Sequence, residues 1–183
     1  MALVLLKSKA EKNSRKGGNM KIGFESQRVA ILIDEVNIYL TGLDLFNGAK
    51  VDYEKVLEKL NQRQITRAIL YCVDKPGCED SGFVKKVNSL NFEVKKKSLK
   101  VYPNGRKKGD WDIGIAIDAV SLAEKVDVIT LVTGDGDYEP LVYFLRSKGV
   151  RVEVMGFPEM TSRDLIRAVD EFIPITKDML LAQ

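Results

Sequence analysis

The chain lacks histidine altogether, has only two cysteines, and contains no apolar run long enough to span a membrane. The absence of histidine excludes a Ser-His-Asp triad, a Cys-His pair and any histidine-ligated zinc site. Cys72 and Cys78 are too few for a disulfide framework, which favours a reducing, cytoplasmic environment. The opening apolar run is shorter than a signal peptide or a membrane helix requires, so we expect no membrane association. Any catalysis must therefore use carboxylates, lysines, hydroxyls or a metal ion held by oxygen.

Length and composition predict one globular domain rather than a disordered or fibrous chain. The 183 residues are 45% hydrophobic and 30% charged. The net charge of +3 is unevenly distributed, because the first 29 residues carry seven Lys or Arg against two Glu. We expect a flexible basic arm at 1–27, a folded domain at 28–176 and a tail at 177–183. Met20 is an alternative native start within that arm.

Apolar patterning predicts strands and helices that alternate along the folded domain. Short continuous apolar runs indicate buried strands, and helical spacing indicates the segments between them. The predicted strands are 28–34, 65–73, 92–102, 128–133, 150–155 and a final edge strand at 173–175. The predicted helices are 51–60, 81–90, 111–125, 139–148 and 161–172. This order predicts an α/β fold with a central, mostly parallel sheet and helices on both faces.

Acidic residues occur where the strands of such a sheet end, which is where its ligands bind. Asp34 ends the first strand, Asp135 and Asp137 follow the fourth, and Asp112 begins the helix before the fourth. Carboxylates brought together repel one another, and a divalent cation relieves that repulsion. Oxygen ligands suit Mg²⁺ or Mn²⁺. The flanking glycines of the Gly134-Asp135-Gly136-Asp137 segment would allow a sharp turn and leave room for a phosphate.

Each of these acids also has a purely structural interpretation. A strand-ending Asp often caps a helix, and Asp135 or Asp137 could cap the helix that starts near residue 139. Asp112 would favour the helix dipole, and Asp110 could be the N-cap of the same helix. Asp118 lies about 240° around that helix from Asp112, so the two do not easily share one site. The convergence of three acidic segments favours the site over the separate structural roles.

Several segments together resemble the NYN domain family, a branch of the PIN-like nucleases, and most closely its LabA-like group. The resemblance extends from about residue 28 to 175. The matching segments are Ile31-Leu-Ile-Asp-Glu-Val-Asn-Ile-Tyr39, Lys108-Gly-Asp-Trp-Asp-Ile113, Thr133-Gly-Asp-Gly-Asp-Tyr138 with Pro140-Leu-Val142, Leu145 to Gly149 with Val152-Glu-Val154, and Ser162 to Ile173. One departure is Glu35-Val36, where the family more often has Gly-Ser or Gly-Asn.

The resemblance implies a Rossmann-like PIN fold and a metal-dependent endoribonuclease acting on single-stranded or structured RNA. The family's catalytic positions correspond to Asp34, Asn37, Asp112, Asp135 and Asp137. The four aspartates would hold Mg²⁺ or Mn²⁺, and Asn37 would bond a carboxylate, a water or the phosphate. Glu139 is an outside candidate, and Glu35 would either narrow the site or add a ligand.

A basic segment leads directly into Asp112 and predicts contact with RNA. It contains seven positive charges and no acid, with Tyr102 inside it and Trp111 just after. Basic residues with interleaved aromatics suit single-stranded nucleic acid. The alternative is an edge strand that lysines protect against aggregation, with Trp111 packed on the sheet. The basic residues are Lys95, Lys96, Lys97, Lys100, Arg106, Lys107 and Lys108.

Other functions are compatible with the same fold. A non-catalytic module that binds RNA or protein would keep the acids without cleaving. A haloacid-dehalogenase-type phosphatase would need a second Asp two residues after Asp34, and the chain has Val36 there. No G-x-G-x-x-G follows a strand, so we expect no nucleotide cofactor. The apolar end Met179-Leu180-Leu181 could dock a second copy or a partner protein, or simply close the domain.

Overall fold

A computed structural model describes residues 25–74, 82–101, 103 and 107–181. Most of the predicted basic arm, as well as Cys78, Tyr102 and Arg106, lies outside these residues. No helix in the described part combines the length and apolar character that a bilayer crossing requires.

Alternating strands and helices build the chain, as the apolar pattern predicts. The strands are β1 (Arg28–Asp34), β2 (Gln64–Asp74), β3 (Glu93–Ser98), β4 (Lys100–Val101), β5 (Lys107–Lys108), β6 (Val128–Val132), β7 (Arg151–Gly156) and β8 (Glu171–Pro174). The helices are α1 (Glu35–Leu45), α2 (Tyr53–Leu60), α3 (Gly82–Ser89), α4 (Asp112–Leu122), α5 (Glu139–Ser147) and α6 (Arg163–Ala168). Within the described residues, 3₁₀ turns lie at Gly136–Tyr138 and Lys177–Met179.

Six strands form one parallel sheet in the order β3-β2-β1-β6-β7-β8. The chain moves outward from β1 to β3 and then returns to the other side of β1 at β6. Strand order therefore reverses between β1 and β6. In doubly wound sheets the crevice at such a reversal, outside the carboxyl ends of the strands, is the usual ligand site.

Helices cover both faces of the sheet, which confirms the predicted α/β class. One buried cluster packs α1, α2, α3 and the C-terminal 3₁₀ turn on the first face. The other packs α4, α5 and α6 on the second face. Strand β1 lies between them and is buried from Val29 to Asp34.

Two helices differ from the sequence prediction. The prediction missed α1 because its apolar residues do not follow one face, and Leu40 and Leu43 are exposed. The helix predicted for 161–172 ends at Ala168, although Ser162 caps it as expected. The Asp170 carboxylate accepts the backbone N–H of Val152 at 2.9 Å, which turns the chain into β8.

The basic segment and the C-terminal tail also take definite positions. Strand β3 is an edge of the main sheet, and β4 pairs with β5 as a separate antiparallel ribbon. At the other end of the chain, Met179 is buried in the core, and Leu181 donates its N–H to the carbonyl of Lys50 at 2.8 Å. The tail therefore closes the domain, and a docking role for it is not supported.

Candidate functional site

The carboxyl end of β1 delivers Asp34 and Asn37 to the point where strand order reverses. Asp34 is buried and is the N-cap of α1, because its Oδ1 accepts the backbone N–H of Asn37 at 3.2 Å. The Asn37 Oδ1 in turn accepts the backbone N–H of Gly134 at 2.8 Å. Asn37 therefore joins the end of β1 to the end of β6, and this bond engages its amide oxygen.

The segment after β6 places Asp135 at the same edge of the sheet, where the carboxyl ends of β1 and β6 lie. Asp135 caps the 3₁₀ turn that precedes α5, since its Oδ1 accepts the backbone N–H of Asp137 at 3.0 Å. The N–H of Asp135 donates to the Thr133 hydroxyl at 3.2 Å. Asp135 is therefore a capping residue, as predicted, but it caps the 3₁₀ turn Gly136–Tyr138 rather than α5.

Gly134 and Gly136 serve a different purpose from the one their sequence suggested. Neither has a positive φ. A Cβ at Gly134 would come within 3.0 Å of the Met160 carbonyl oxygen, and one at Gly136 within 2.9 Å of the Ser162 hydroxyl. The room that the missing side chains leave is taken by the 160–162 segment. These glycines therefore allow the backbone at residues 134–136 to pack closely against the 160–162 segment.

Trp111 orients the first turn of α4, which carries Asp112. Its Nε1 donates to the carbonyl of Cys72 at 2.9 Å, and its ring lies 5.4 Å from that of Tyr71. Gly114 permits this arrangement, because a Cβ there would meet the indole at 2.5 Å. The N-cap of α4 is Trp111, without a side-chain hydrogen bond, so the prediction of Asp110 as N-cap is wrong. The packing interpretation of Trp111 is the one the structure favours.

One hydroxyl links the two acids that come from distant parts of the chain. Tyr138 Oη lies 3.2 Å from Asp34 Oδ2 and 3.3 Å from Asp112 Oδ1. Tyr138 is not among the site residues that the sequence predicts. Its position directly after the Asp137 of the glycine-aspartate segment was the available signal.

Asp34, Asp112 and Asp135 form an acidic cluster, and burial together with mutual repulsion raises the pKa values of Asp34 and Asp112. Burial, reinforced by the charges of Asp112 and Asp135, raises the pKa of Asp34 to about 6. Partial burial also raises the pKa of Asp112, with further contributions from Asp110 and Asp135. Burial and the two neighbouring carboxylates raise the pKa of Tyr138 as well, so the phenol stays protonated. Burial and mutual repulsion thus disfavour the ionised forms of Asp34 and Asp112 when no cation is bound.

The remaining predicted acids lie around this cluster rather than within it. Asp137 is exposed, and its charge makes a smaller contribution to the raised pKa of Asp112. Glu35 lies in the first turn of α1. Burial raises the pKa of Tyr53, and the charge of Glu35 raises it further. Glu139 begins α5 and is partly exposed.

The donor set fits a hard cation that keeps part of its water shell. Within the described residues, no three Cys, Asp or Glu side chains are close enough to enclose a metal ion by themselves. Mg²⁺ usually binds through one or two carboxylates and retains several waters. Asp34 and Asp112 converge on one hydroxyl with Asp135 adjacent, and all three offer only oxygen. This arrangement suits such an ion better than a fully protein-enclosed one.

The raised pKa of Asp34 predicts how stability depends on pH when metal is absent. Between pH 4 and 6 the folded protein binds more protons at Asp34 than the unfolded chain, so stability falls as pH rises through that window. Asn at residue 34 retains the cap. We therefore expect Asp34→Asn in EDTA to be about 2–3 kcal/mol more stable than wild type at pH 7, and nearly equal to it at pH 4. Urea unfolding at both pH values tests this, and a pH-independent difference would contradict it.

The basic segment is largely engaged with the protein itself. Lys95 Nζ lies 2.7 Å from Asp118 Oδ2, and the same carboxylate oxygen accepts the Tyr71 hydroxyl at 2.6 Å. Lys97 Nζ donates to the Asp110 carbonyl at 2.7 Å and lies 5.3 Å from the centre of the Trp111 ring system. Both lysines therefore have structural contacts on the second face.

The other basic residues are placed differently. Lys96 and Lys100 are exposed, the first on the edge strand and the second on the ribbon. Lys107 and Lys108 pair through their backbones with β4. The alternative of an edge strand carrying lysines agrees with this position, and the prediction of RNA contact remains open for the exposed residues.

Fold and site together define a doubly wound α/β protein with an acidic cluster at the point where strand order reverses. Comparison with known proteins identifies the family. The NYN domain model matches residues 28–176, and the chain therefore belongs to the NYN domain family, whose members are typically PIN-like nucleases.

Two relatives are similar over most of their length. The chain is 31% identical over 163 residues to the low amplitude and bright protein LabA of Synechococcus elongatus, covering 84% of this chain and 87% of the relative. A crystal structure of a protein of unknown function from Vibrio parahaemolyticus has a TM-score of 0.79 and 31% identity. That match covers 88% of this chain and 100% of the other.

Proposed function

We propose that the protein is a metal-dependent endoribonuclease that hydrolyses phosphodiester bonds in single-stranded or structured RNA. The observation that carries the proposal is the convergence of Asp34 and Asp112 on the Tyr138 hydroxyl at the carboxyl ends of β1 and β6. Membership of a family of PIN-like nucleases supports the same reaction class. A cytoplasmic location remains a prediction from the cysteine content.

The acidic cluster would hold Mg²⁺ or Mn²⁺ through Asp34, Asp112 and Asp135, with part of these contacts made through water that the ion retains, and Asp137 would lie at its rim. When bound, such an ion lowers the pKa of water and neutralises charge that develops on the phosphate. Asn37 holds the Gly134 peptide against the end of β1 and so fixes the position of Asp135 relative to Asp34. The buried environment of Asp34 strengthens its interaction with any cation.

The test is cleavage of end-labelled single-stranded RNA with Mn²⁺, with Mg²⁺ and with EDTA. The proposal expects cleavage with a metal ion and none with EDTA. The Asp135→Asn protein, purified in parallel, distinguishes the enzyme from a contaminating nuclease, which would cleave equally in both preparations. Cleavage that persists in EDTA would exclude the metal-dependent mechanism.

RNA binding is expected to depend on the exposed lysines. Each phosphate contact with a single strand changes the slope of log K against log salt by about 0.7. We therefore expect Lys96→Gln with Lys100→Gln to weaken binding and to flatten this slope by about 1.4. A matched control with the same charge change is Lys125→Gln with Lys148→Gln, because these lysines follow the C-terminal ends of α4 and α5, whereas Asp112 lies at the N-terminal end of α4. Equal effects of the two pairs, measured by fluorescence anisotropy, would remove the basic segment from the RNA interface.

A second candidate is a non-catalytic module that binds RNA or protein, with a homo-oligomer as one form. One observation favours it: α4 is apolar on its outer face as well as its inner face, with Ile113, Ile117 and Val120 exposed by 74%, 60% and 42%. A helix that is apolar all round is usually covered. RNA binding without cleavage, together with an oligomer that Ile117→Lys disrupts in light scattering, would favour this candidate.

A further inference from the structure

The Tyr138 side chain makes contacts that its place in the secondary structure does not require. Its ring is 2% exposed and packs in the cluster on the second face. Tyr138 is the N-cap residue of α5, but its side chain makes no capping hydrogen bond. The hydroxyl therefore contributes nothing to the helix start, and its two hydrogen-bond contacts with Asp34 and Asp112 require another explanation.

The hydroxyl completes the restraint on Asp34. Oδ1 of Asp34 accepts the N–H of Asn37, and Oδ2 lies 3.2 Å from Tyr138 Oη, so both carboxylate oxygens have partners. Both groups are buried, and rotation of the carboxylate would break both bonds. On Asp112 the hydroxyl contacts Oδ1, whereas Oδ2 accepts no hydrogen bond from the part of the chain that the structure describes. One buried phenol thus contacts two carboxylates that come from β1 and α4.

A phenol can donate one proton, whereas two carboxylates face it. It cannot satisfy both charges at once, so the arrangement holds the acids together without neutralising them. Hydrogen bonds that orient carboxylate ligands in this way typically change metal affinity 10- to 100-fold when removed. The geometry is that of a support for a cation site, and not of a neutral core network.

Resting on the proposed function, we propose that Tyr138 is a positioning residue that sets the divalent-cation affinity of the acidic cluster. It acts through Asp34 and Asp112, by holding their carboxylates at one fixed separation. Phe retains the buried ring and removes only the hydroxyl, so Tyr138→Phe is expected to fold. Its expected effect is on metal affinity, and complete loss of the site is not expected.

The experiment is a titration with Mn²⁺ alone, following free Mn²⁺ by electron paramagnetic resonance. We expect Tyr138→Phe to raise the Mn²⁺ dissociation constant at least about 10-fold relative to wild type. The matched control is Tyr71→Phe, which removes a buried tyrosine hydroxyl bonded to Asp118, away from the cluster. That control should remain within about twofold of wild type.

The outcomes separate this inference from the proposed function. If wild type and Tyr138→Phe bind Mn²⁺ with the same dissociation constant, the positioning role is overturned and the metal site is retained. Tighter binding in Tyr138→Phe also overturns it, because the hydroxyl would then compete with the ion. Absence of Mn²⁺ binding by wild type overturns the metal site and the inference together. Thermal unfolding in EDTA and in Mn²⁺ supplies a second measurement, since a merely structural hydroxyl would lower both midpoints equally, whereas a positioning role reduces the increase that Mn²⁺ produces.

Discussion

The Asp135→Asn protein is expected to fold normally and to lose metal-dependent RNA cleavage. Asn caps a turn as well as Asp does, so the hydrogen bond to the Asp137 N–H is retained. The substitution removes one negative charge from the acidic cluster. Removal of a group that hydrogen-bonds a metal ligand typically lowers metal affinity or activity 10- to 100-fold. Removal of the charge of a ligand itself should therefore reduce cleavage by at least about 100-fold.

The same substitution should not reduce stability in EDTA. The charge of Asp135 raises the pKa values of both Asp34 and Asp112, so its removal relieves repulsion. Asp135→Ala is the informative comparison, because it also removes the cap and should cost about 1 kcal/mol. Asp164→Asn, at an exposed position paired with Arg167, is the surface control. Unfolding of Asp135→Asn would assign the acid a structural role, and cleavage equal to that of wild type would exclude Asp135 from the metal site or reveal a contaminating nuclease.

The location of the acids could be predicted from the sequence because it follows from chain topology. Carboxyl ends of parallel strands share an edge, so acids at the ends of β1 and β6 must be neighbours. The Tyr138 contacts and the bond from Gly134 to Asn37 could not be predicted. They depend on the register between β1 and β6 and on a 3₁₀ turn of three residues, and neither has a periodic signal.

The basic segment illustrates a different limit. Its composition predicts exposed charge, but β-strand alternation directs Lys95 and Lys97 to one face and Lys96 to the other. Whether a lysine contacts solvent or the protein then depends on residues far along the chain, such as Asp118. Charge content alone therefore overestimates the number of lysines available to RNA.

Strand β7 contains a buried charge that the apolar pattern concealed. Glu153 lies in the run Val152 to Met155, which was predicted simply as a buried strand, and its side chain is fully buried. Arg63 donates to both carboxylate oxygens at 2.8 and 2.7 Å. Arg151 Nε donates to Oε1 at 2.9 Å and the Thr130 hydroxyl to Oε2 at 3.3 Å. The partner Arg63 precedes β2, far away in the chain, so no local pattern could identify the pair.

Glu153→Gln is expected to destabilise the fold by about 3–5 kcal/mol, because it leaves two largely buried guanidinium groups without their shared counter-charge. Burial alone would raise the pKa of Glu153, but the hydrogen bonds and charges of Arg63 and Arg151 outweigh it and lower the pKa. The stabilisation is therefore present above the ordinary glutamate pKa and is lost as pH falls through the lowered value. Glu171→Gln is the matched control, because Glu171 bonds the same Arg151 at 2.8 Å from a position 38% exposed and should cost less than about 1 kcal/mol. Urea unfolding at neutral pH measures the free energy of unfolding of both variants. Equal losses of stability in Glu153→Gln and Glu171→Gln would contradict the expectation that the buried carboxylate contributes more than the exposed one.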